Sequence, residues 1–151
     1  MSVTIDLDNL APMIGAEVAT SGWFEVDQRR IDAFADATDD HQWIHNDPAR
    51  CRRESPFGQP VAHGFLTLSL LPAMLADAVS IGAMRMGVNY GLDRVRFPAP
   101  LPAGSRVRAR WRLLRAEPVA GGWQLAWEAA VEPEAGGKPV CVAEFLFRCY
   151  V

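Results

Sequence analysis

Two histidines and three carboxylates crowd into residues 38–48, which read TDDHQWIHNDP. Within this stretch, Asp40 and His45 stand five positions apart. An imidazole can take up a proton near neutral pH, and a neighbouring carboxylate can orient a water molecule or hold the imidazole in one tautomer. The pair is therefore a candidate for activating water. The alternative is a structural turn, because aspartates in turns commonly accept hydrogen bonds from backbone N–H groups.

Two other kinds of chemistry are conceivable in the same region. His41 and His45 would share a helix face and could hold a metal ion, but no third ligand follows at a recognised spacing. A helix through these histidines would also run directly into Pro48 and its capping residues. Cys51 is a potential nucleophile, yet no base or activating group is recognisable beside it. We therefore predict no metal site and an ordinary thiol at Cys51.

A third histidine, His63, comes directly before Gly64 and a long apolar segment. Because glycine has no side chain, Gly64 would let a ligand approach the free N–H groups at the beginning of a helix. The alternative is a simple capping glycine. Residue types alone leave both interpretations open.

The acidic stretch is predicted to lie between two helices. Asp27 is placed to cap a helix over 28–37, in which apolar side chains recur at helical spacing. Pro48 suits the first turn of a second, short helix, and either Asn46 or Asp47 can cap it. The candidate residues would therefore occupy an irregular connection, held at both ends by regular structure.

A strongly apolar segment follows, from Gly64 to Val79, whose first twelve residues carry only Thr67 and Ser69 as polar side chains. A helix that is apolar on every side has to be buried on every side. The segment is shorter than a membrane span, and Pro72 would remove one helical hydrogen bond and bend the helix. We predict a bent central helix inside the protein core.

The second half of the chain has the period of strands. Residues 105–113 and 123–132 alternate apolar with mostly polar side chains, which indicates strands with one wet face. Residues 138–151 and 86–100 are predicted to form two further strands, and glycine-rich turns separate neighbours. These patterns predict an α+β fold in which an antiparallel sheet curls around the central helix. No repeat or linker indicates a second domain within residues 1–151.

Composition excludes several classes of protein. The chain has 151 residues, half of them hydrophobic, and a formal net charge of −3. So weak a charge does not favour a nucleic-acid or membrane-surface partner, and no segment has the pattern of a signal peptide or membrane span. We expect a cytoplasmic protein. Its three cysteines, Cys51, Cys141 and Cys149, follow no metal-finger spacing and are interpreted as reduced thiols.

Two blocks carry a specific resemblance. DHQWIHNDP, followed by AHGFLTLSLLP, resembles the MaoC-like hydratase family, and most closely its nodulation protein N-like branch. A later block, NYGLDRVRFPAPLPAGSRV, resembles a strand segment of the same family. The resemblance implies a hot-dog fold, which is a long helix wrapped by an antiparallel sheet, and it implies homodimers. The first of these expectations agrees with the periodicity of the chain.

The resemblance also implies roles for individual residues. In the (R)-specific enoyl-CoA hydratases of this family an acid and a histidine activate water, which corresponds to Asp40 and His45 here. Asp39 stands where the family usually has glycine. The backbone N–H of Gly64 would hold the thioester oxygen as negative charge develops on it. For substrate binding we predict the following side chains: His63, Phe65, Asn89 and Arg96.

The implied activity is addition of water to a trans-2-enoyl-CoA, giving an (R)-3-hydroxyacyl-CoA without a metal or redox cofactor. Arginines between positions 94 and 112 could contact the phosphates of coenzyme A, or could simply cover a solvated strand face. A thioesterase is one alternative, but it would normally need an acid in the central helix, which has none before Asp77. A non-catalytic acyl-thioester-binding protein is the other, and it would be expected to lack the Asp/His pair.

Overall fold

A six-stranded antiparallel sheet is the largest element of the computed structural model, which describes residues 2–151. Its strands are β2 (Glu17–Thr20), β3 (Phe24–Val26), β5 (Met86–Arg96), β6 (Ser105–Val119), β7 (Gly122–Pro133) and β8 (Cys141–Tyr150). Their order is β2-β6-β7-β8-β5, and β3 pairs with β6 beside β2. The α+β prediction is confirmed. The four long strands lie where four strands were predicted, but β6 extends six residues past its predicted end at 113, and β5 ends at Arg96 instead of 100. Strands β2 and β3 were not predicted.

Alternation along β6 and β7 decides which face of the sheet is buried. Trp111 on β6 and Trp127 on β7 are completely buried, and their rings meet edge to face with centroids 6.2 Å apart. Burying a large apolar side chain contributes about 1.5–3 kcal/mol, so these strands supply a major part of the core. The one-faced pattern predicted for both strands is what the structure shows.

The opposite face of β6 is covered by cross-strand ion pairs. Four arginines of β6 contact carboxylates on neighbouring strands or, for Arg106, on the residue directly after β7: Arg106, Arg108, Arg110 and Arg112. Arg108 Nε, for example, lies 2.7 Å from Glu132. Such half-exposed pairs contribute little to stability individually. Since their charges are already matched, these four arginines cover a solvated strand face, which was one of the two interpretations left open by the sequence.

Five α-helices occur in the described residues, and the predicted central helix is divided between two of them. They are α1 (Gln28–Thr38), α2 (Trp43–Asn46), α3 (Pro48–Glu54), α4 (Gly64–Ser69) and α5 (Leu71–Ala78). The break falls at Leu70, because Pro72 lies in the first turn of α5. Helix α4 lies against β8 and α5 against β6.

Burial of the central helix on every side was a wrong expectation for the single chain. Phe65, on α4, is 67% exposed, and Ala73 and Ala76 on α5 are also exposed. The predicted helix is also too long by one residue. Val79 begins a three-residue strand, β4 (Val79–Ile81), which pairs in parallel with β1 (Val3–Ile5) in a separate small sheet.

The two helices predicted around the acidic stretch are confirmed, with their caps. The prediction of an irregular connection between them is wrong at His45, which lies in the single helical turn of α2. The Asp27 carboxylate accepts a hydrogen bond from the Arg30 N–H at the beginning of α1, and Asp47 caps α3 in the same way. Asp39 directly follows the last residue of α1, and its φ of 59° lies in the left-handed region. Two 3₁₀ turns, Leu7–Asn9 and Ala11–Met13, complete the described secondary structure. None of the described helices is long and apolar enough to cross a membrane.

Candidate active site

Three segments converge to bring the candidate residues together. Asp40 lies in the short connection after α1, His45 lies in the single turn of α2, and His63 directly precedes α4. One ring nitrogen of each histidine and one carboxylate oxygen of Asp40 all lie within 4.8 Å of one another. The structure therefore joins the predicted Asp/His pair to a histidine 18 positions further along the chain.

His45 is held so that one ring nitrogen remains free to act as a base. Its Nδ1 lies 2.6 Å from the carbonyl oxygen of Val61, and since a carbonyl only accepts, Nδ1 must carry the proton. In the neutral ring this leaves the lone pair on Nε2. Burial lowers the pKa of His45 below its ordinary value of 6.5, His63 lowers it further, and the Val61 hydrogen bond and Asp40 act in the opposite direction. The imidazole is therefore uncharged near neutral pH and can accept a proton.

His63 packs directly on this imidazole. The two rings are stacked, with centroids 3.8 Å apart and an interplanar angle of 23°. His63 is only 2% exposed, and its Nε2 donates a hydrogen bond of 2.9 Å to the backbone carbonyl of Asp40. Its other ring nitrogen, Nδ1, is buried and has no hydrogen-bond partner among residues 2–151.

Asp40, in contrast, presents its side chain to solvent. Its carboxylate receives one long contact, 3.5 Å from the backbone nitrogen of Gln42. The preceding residue, Asp39, adopts the left-handed conformation that glycine favours, at the position where the resemblance implies a glycine. Aspartate is among the few other residues that tolerate it, so the departure from the family pattern leaves the turn intact.

A network of hydrogen bonds that was not predicted from the sequence joins α2 to α1. Gln28 Nε2 lies 2.7 Å from the backbone carbonyl of His45 and 2.9 Å from the Asp32 carboxylate. Asn46 Nδ2 donates to the same Asp32 oxygen at 2.7 Å. The only signal in the sequence was the spacing of Gln28 and Asp32, which are four apart on one side of α1.

Gly64 begins α4 beside an open, mainly apolar pocket of about 270 Å³. A Cβ atom at Gly64 would lie 2.9 Å from the ring of Phe97, so any side chain here would force that ring to move. Ala62 and Gly64 both line the pocket, and they flank His63. The pocket and the Asp40–His45–His63 cluster are therefore adjacent at this one segment, although none of the three cluster residues lines the pocket.

The four side chains predicted to bind substrate do not form one group. His63 belongs to the cluster, while Phe65 is exposed with its ring 6.0 Å from that of Phe97. Asn89 lines a different pocket, of about 290 Å³, between β5 and the two central helices. Arg96 is exposed at the end of β5, and its guanidinium contacts the carbonyl of Val95.

The alternative chemistries find little support in the described residues. His41 is exposed and lies 3.8 Å from Asp36, so it does not join the cluster. Asp40, His45 and His63 are close enough to share a metal ion, but two stacked imidazoles do not point their lone pairs at one centre as metal ligands do. Burial raises the pKa of the Cys51 thiol, which makes it a poor nucleophile. The other two cysteines are buried and unpaired as well.

Known proteins match this chain over most of its length. Residues 9–123 match the model of the MaoC-like domain. The chain belongs to this family. It is 45% identical to 3-hydroxyacyl-thioester dehydratase Z of Mycobacterium tuberculosis, over 93% of each chain. It is also 47% identical to nodulation protein N of Rhizobium leguminosarum, over 94% of this chain and 89% of the relative.

A solved structure agrees with the fold. An unliganded R-hydratase from Pseudomonas aeruginosa superimposes with a TM-score of 0.73 and 21% identity, covering 91% of this chain and 81% of the other. The predicted membership of the MaoC-like family and the predicted hot-dog fold are both confirmed. This MaoC-like protein is an enzyme of the hydratase and dehydratase type.

Proposed function

We propose that this MaoC-like protein adds water to trans-2-enoyl-CoA thioesters and gives (R)-3-hydroxyacyl-CoA, and that it catalyses the reverse dehydration as well. The observation that carries the proposal is a buried, neutral His45 whose Nδ1 is bonded to Val61, which leaves the lone pair on Nε2, and whose ring has a nitrogen within 4.8 Å of an Asp40 carboxylate oxygen. The relatives named above support the reaction class, since one is named as a dehydratase of 3-hydroxyacyl thioesters.

The chemistry follows from the groups available. In an enoyl thioester, C3 is electron-poor, counting the thioester carbonyl carbon as C1. A water held by Asp40 and His45 can attack C3 while His45 Nε2 takes one proton of that water. The electron pair of the double bond moves towards the thioester oxygen, where the Gly64 N–H would stabilise the negative charge. Return of the proton to the second carbon then completes the 3-hydroxyacyl thioester. The oxygen of water supplies the electron pair of the new carbon–oxygen bond, and the pair of the former double bond forms the new carbon–hydrogen bond, so no oxidant or reductant is needed.

The product should be a single enantiomer in this mechanism. One water held on one side of a fixed double bond can attack only one face. The (R) configuration itself is inherited from the family resemblance. We further propose that no metal or redox cofactor takes part, because the imidazole supplies the base and a backbone N–H stabilises the negative charge on the thioester oxygen.

We propose that the protein acts as a homodimer, joined through strand β5. One edge of β5 pairs with β8, and the other has no strand partner within residues 2–151. Exposed sheet edges promote association unless they are covered. Large apolar side chains are exposed on and beside this strand: Phe65, Met86, Val88, Tyr90, Leu92 and Phe97. A second copy could cover all of them at once.

The cytoplasmic location stays a prediction.

One assay separates this proposal from its two alternatives. Purified protein is incubated with crotonyl-CoA, and loss of the conjugated enoyl absorbance is followed in parallel with release of free thiol. A hydratase removes the absorbance without releasing thiol. Thiol release would instead show a thioesterase, and binding with neither change would show a non-catalytic carrier. Either of these two results would refute the proposed function.

A further inference from the structure

We infer that His63 is a positioning residue that fixes the backbone of Asp40 and the orientation of the His45 ring relative to each other. This inference rests on the proposed function in one respect, namely that Asp40 and His45 are the reacting pair. It goes beyond the predicted substrate contact of His63, because the contacts of His63 are made to the pair itself.

The first contact fixes the backbone at Asp40. The segment between α1 and α2 leaves the helix through the left-handed Asp39, and the Asp40 side chain itself has only the 3.5 Å contact to Gln42. The 2.9 Å hydrogen bond from His63 Nε2 to the Asp40 carbonyl joins this segment to the beginning of α4. The position of the exposed carboxylate therefore depends on a buried donor 23 residues away in the chain.

The second contact fixes the ring of His45. The hydrogen bond from its Nδ1 to Val61 holds one edge of the ring but leaves its tilt free. His63 removes that freedom, because it stacks on the ring face at 3.8 Å. Phe34 packs against His63, with centroids 4.9 Å apart, and keeps His63 itself in place. An imidazole held at one edge and one face presents its Nε2 in a single direction.

A purely space-filling role does not explain the residue type. A phenylalanine would fill the gap between Phe34 and His45 without burying a nitrogen that has no partner, and an unpartnered buried polar atom destabilises the fold. Histidine, however, combines an aromatic face for His45 with a donor for Asp40, and phenylalanine and glutamine each supply only one of these.

Two matched variants separate the two contacts. His63→Phe keeps the aromatic face and loses the donor, whereas His63→Gln keeps a donor near the position of Nε2 and loses the face. We expect both variants to reduce kcat for crotonyl-CoA by roughly 10- to 100-fold with little change in KM, because displacing a catalytic group by about 1 Å can cost as much as 100-fold. Circular dichroism and thermal unfolding establish the folded fraction of each variant.

The pH profile distinguishes positioning from a loss of folded protein. The titratable groups that act on the His45 ring are His63 and Asp40, and His63 lowers the pKa of His45. Both variants should therefore raise the pKa of His45 and move the acid limb of the kcat/KM profile to higher pH. The shift should be larger in His63→Gln, because water that reaches the uncovered ring reduces the desolvation of His45 as well. A kcat that falls only with the folded fraction, with an unchanged profile, would overturn the inference. So would a rise in KM alone, or wild-type kcat in both variants.

A nuclear magnetic resonance measurement tests the inference without any activity. The chain has three histidines, so their ring nitrogens can be assigned by substitution. In the wild type, we expect the Nδ1–H tautomer for neutral His45 and the Nε2–H tautomer for neutral His63, and the His45 titration should move up in either variant. The opposite tautomer at His63, or an unchanged His45 titration, would refute positioning. Absence of hydratase activity in the wild type would refute only the proposed function.

Discussion

Asp40 and His45 should behave as one catalytic unit when they are replaced together. His45→Gln removes the base and should reduce kcat/KM for crotonyl-CoA by about 100- to 10,000-fold. Asp40→Asn removes a negative charge within 4.8 Å of the imidazole that becomes positive in the transition state. At that separation the attraction is about 1 kcal/mol in water and about 3.5 kcal/mol at an effective dielectric constant near 20. The corresponding rate loss is roughly 4- to 400-fold.

The double variant provides the decisive comparison. Once the base is absent, no imidazolium forms for Asp40 to stabilise. The kcat/KM of the double variant, Asp40→Asn with His45→Gln, should therefore be within about 3-fold of the kcat/KM of His45→Gln alone. Stopped-time assays on folded protein measure all three variants, and Asp39→Asn is the matched control because asparagine keeps the left-handed turn. Rate losses that multiply in the double variant would refute the shared role. An essential Asp39 with a dispensable Asp40 would show that the motif is misaligned.

Three further results are expected. Because burial lowers the pKa of His45, kcat/KM should stay high near neutral pH and fall only as the pH drops through a midpoint below 6.5. A midpoint above 6.5 in the pH–rate profile would contradict this expectation. Gly64→Ala should reduce kcat by roughly 10-fold or more, because its Cβ would displace the Phe97 ring beside the N–H that we propose to hold the thioester oxygen. An unchanged kcat in this variant would refute that role of Gly64. Analytical sedimentation at micromolar concentration should show a homodimer, and a fully active monomer would contradict the proposed β5 interface.

The elements predicted best are those whose signals are local. The Asp27 cap and the apolar spacing after it define α1 to within one residue, because helix initiation depends on neighbouring side chains. Strand β6 is equally clear, since its arginines and apolar residues alternate without interruption over 106–113. Pro72 correctly predicted an interruption of the central helix, although a full break at Leu70 was not expected.

Features that depend on distant parts of the chain were missed or left open. The parallel pairing of β1 with β4 joins two three-residue segments, each too short to show a period. The approach of His63 to Asp40 and His45 depends on how α4 and the acidic stretch are placed by the sheet, which no local pattern encodes. The exposure of Phe65 has the same origin: an apolar helix was assumed to be covered by its own chain.

Product analysis after removal of metals tests the central claim most directly. Protein treated exhaustively with EDTA is incubated with crotonyl-CoA, and the product is divided between an (R)-specific and an (S)-specific 3-hydroxyacyl-CoA dehydrogenase. If Asp40 and His45 hold one water over one face of the double bond, activity survives chelation and only the (R)-specific enzyme oxidises the product. An (S) or racemic product, or activity restored only by added metal, would contradict the mechanism.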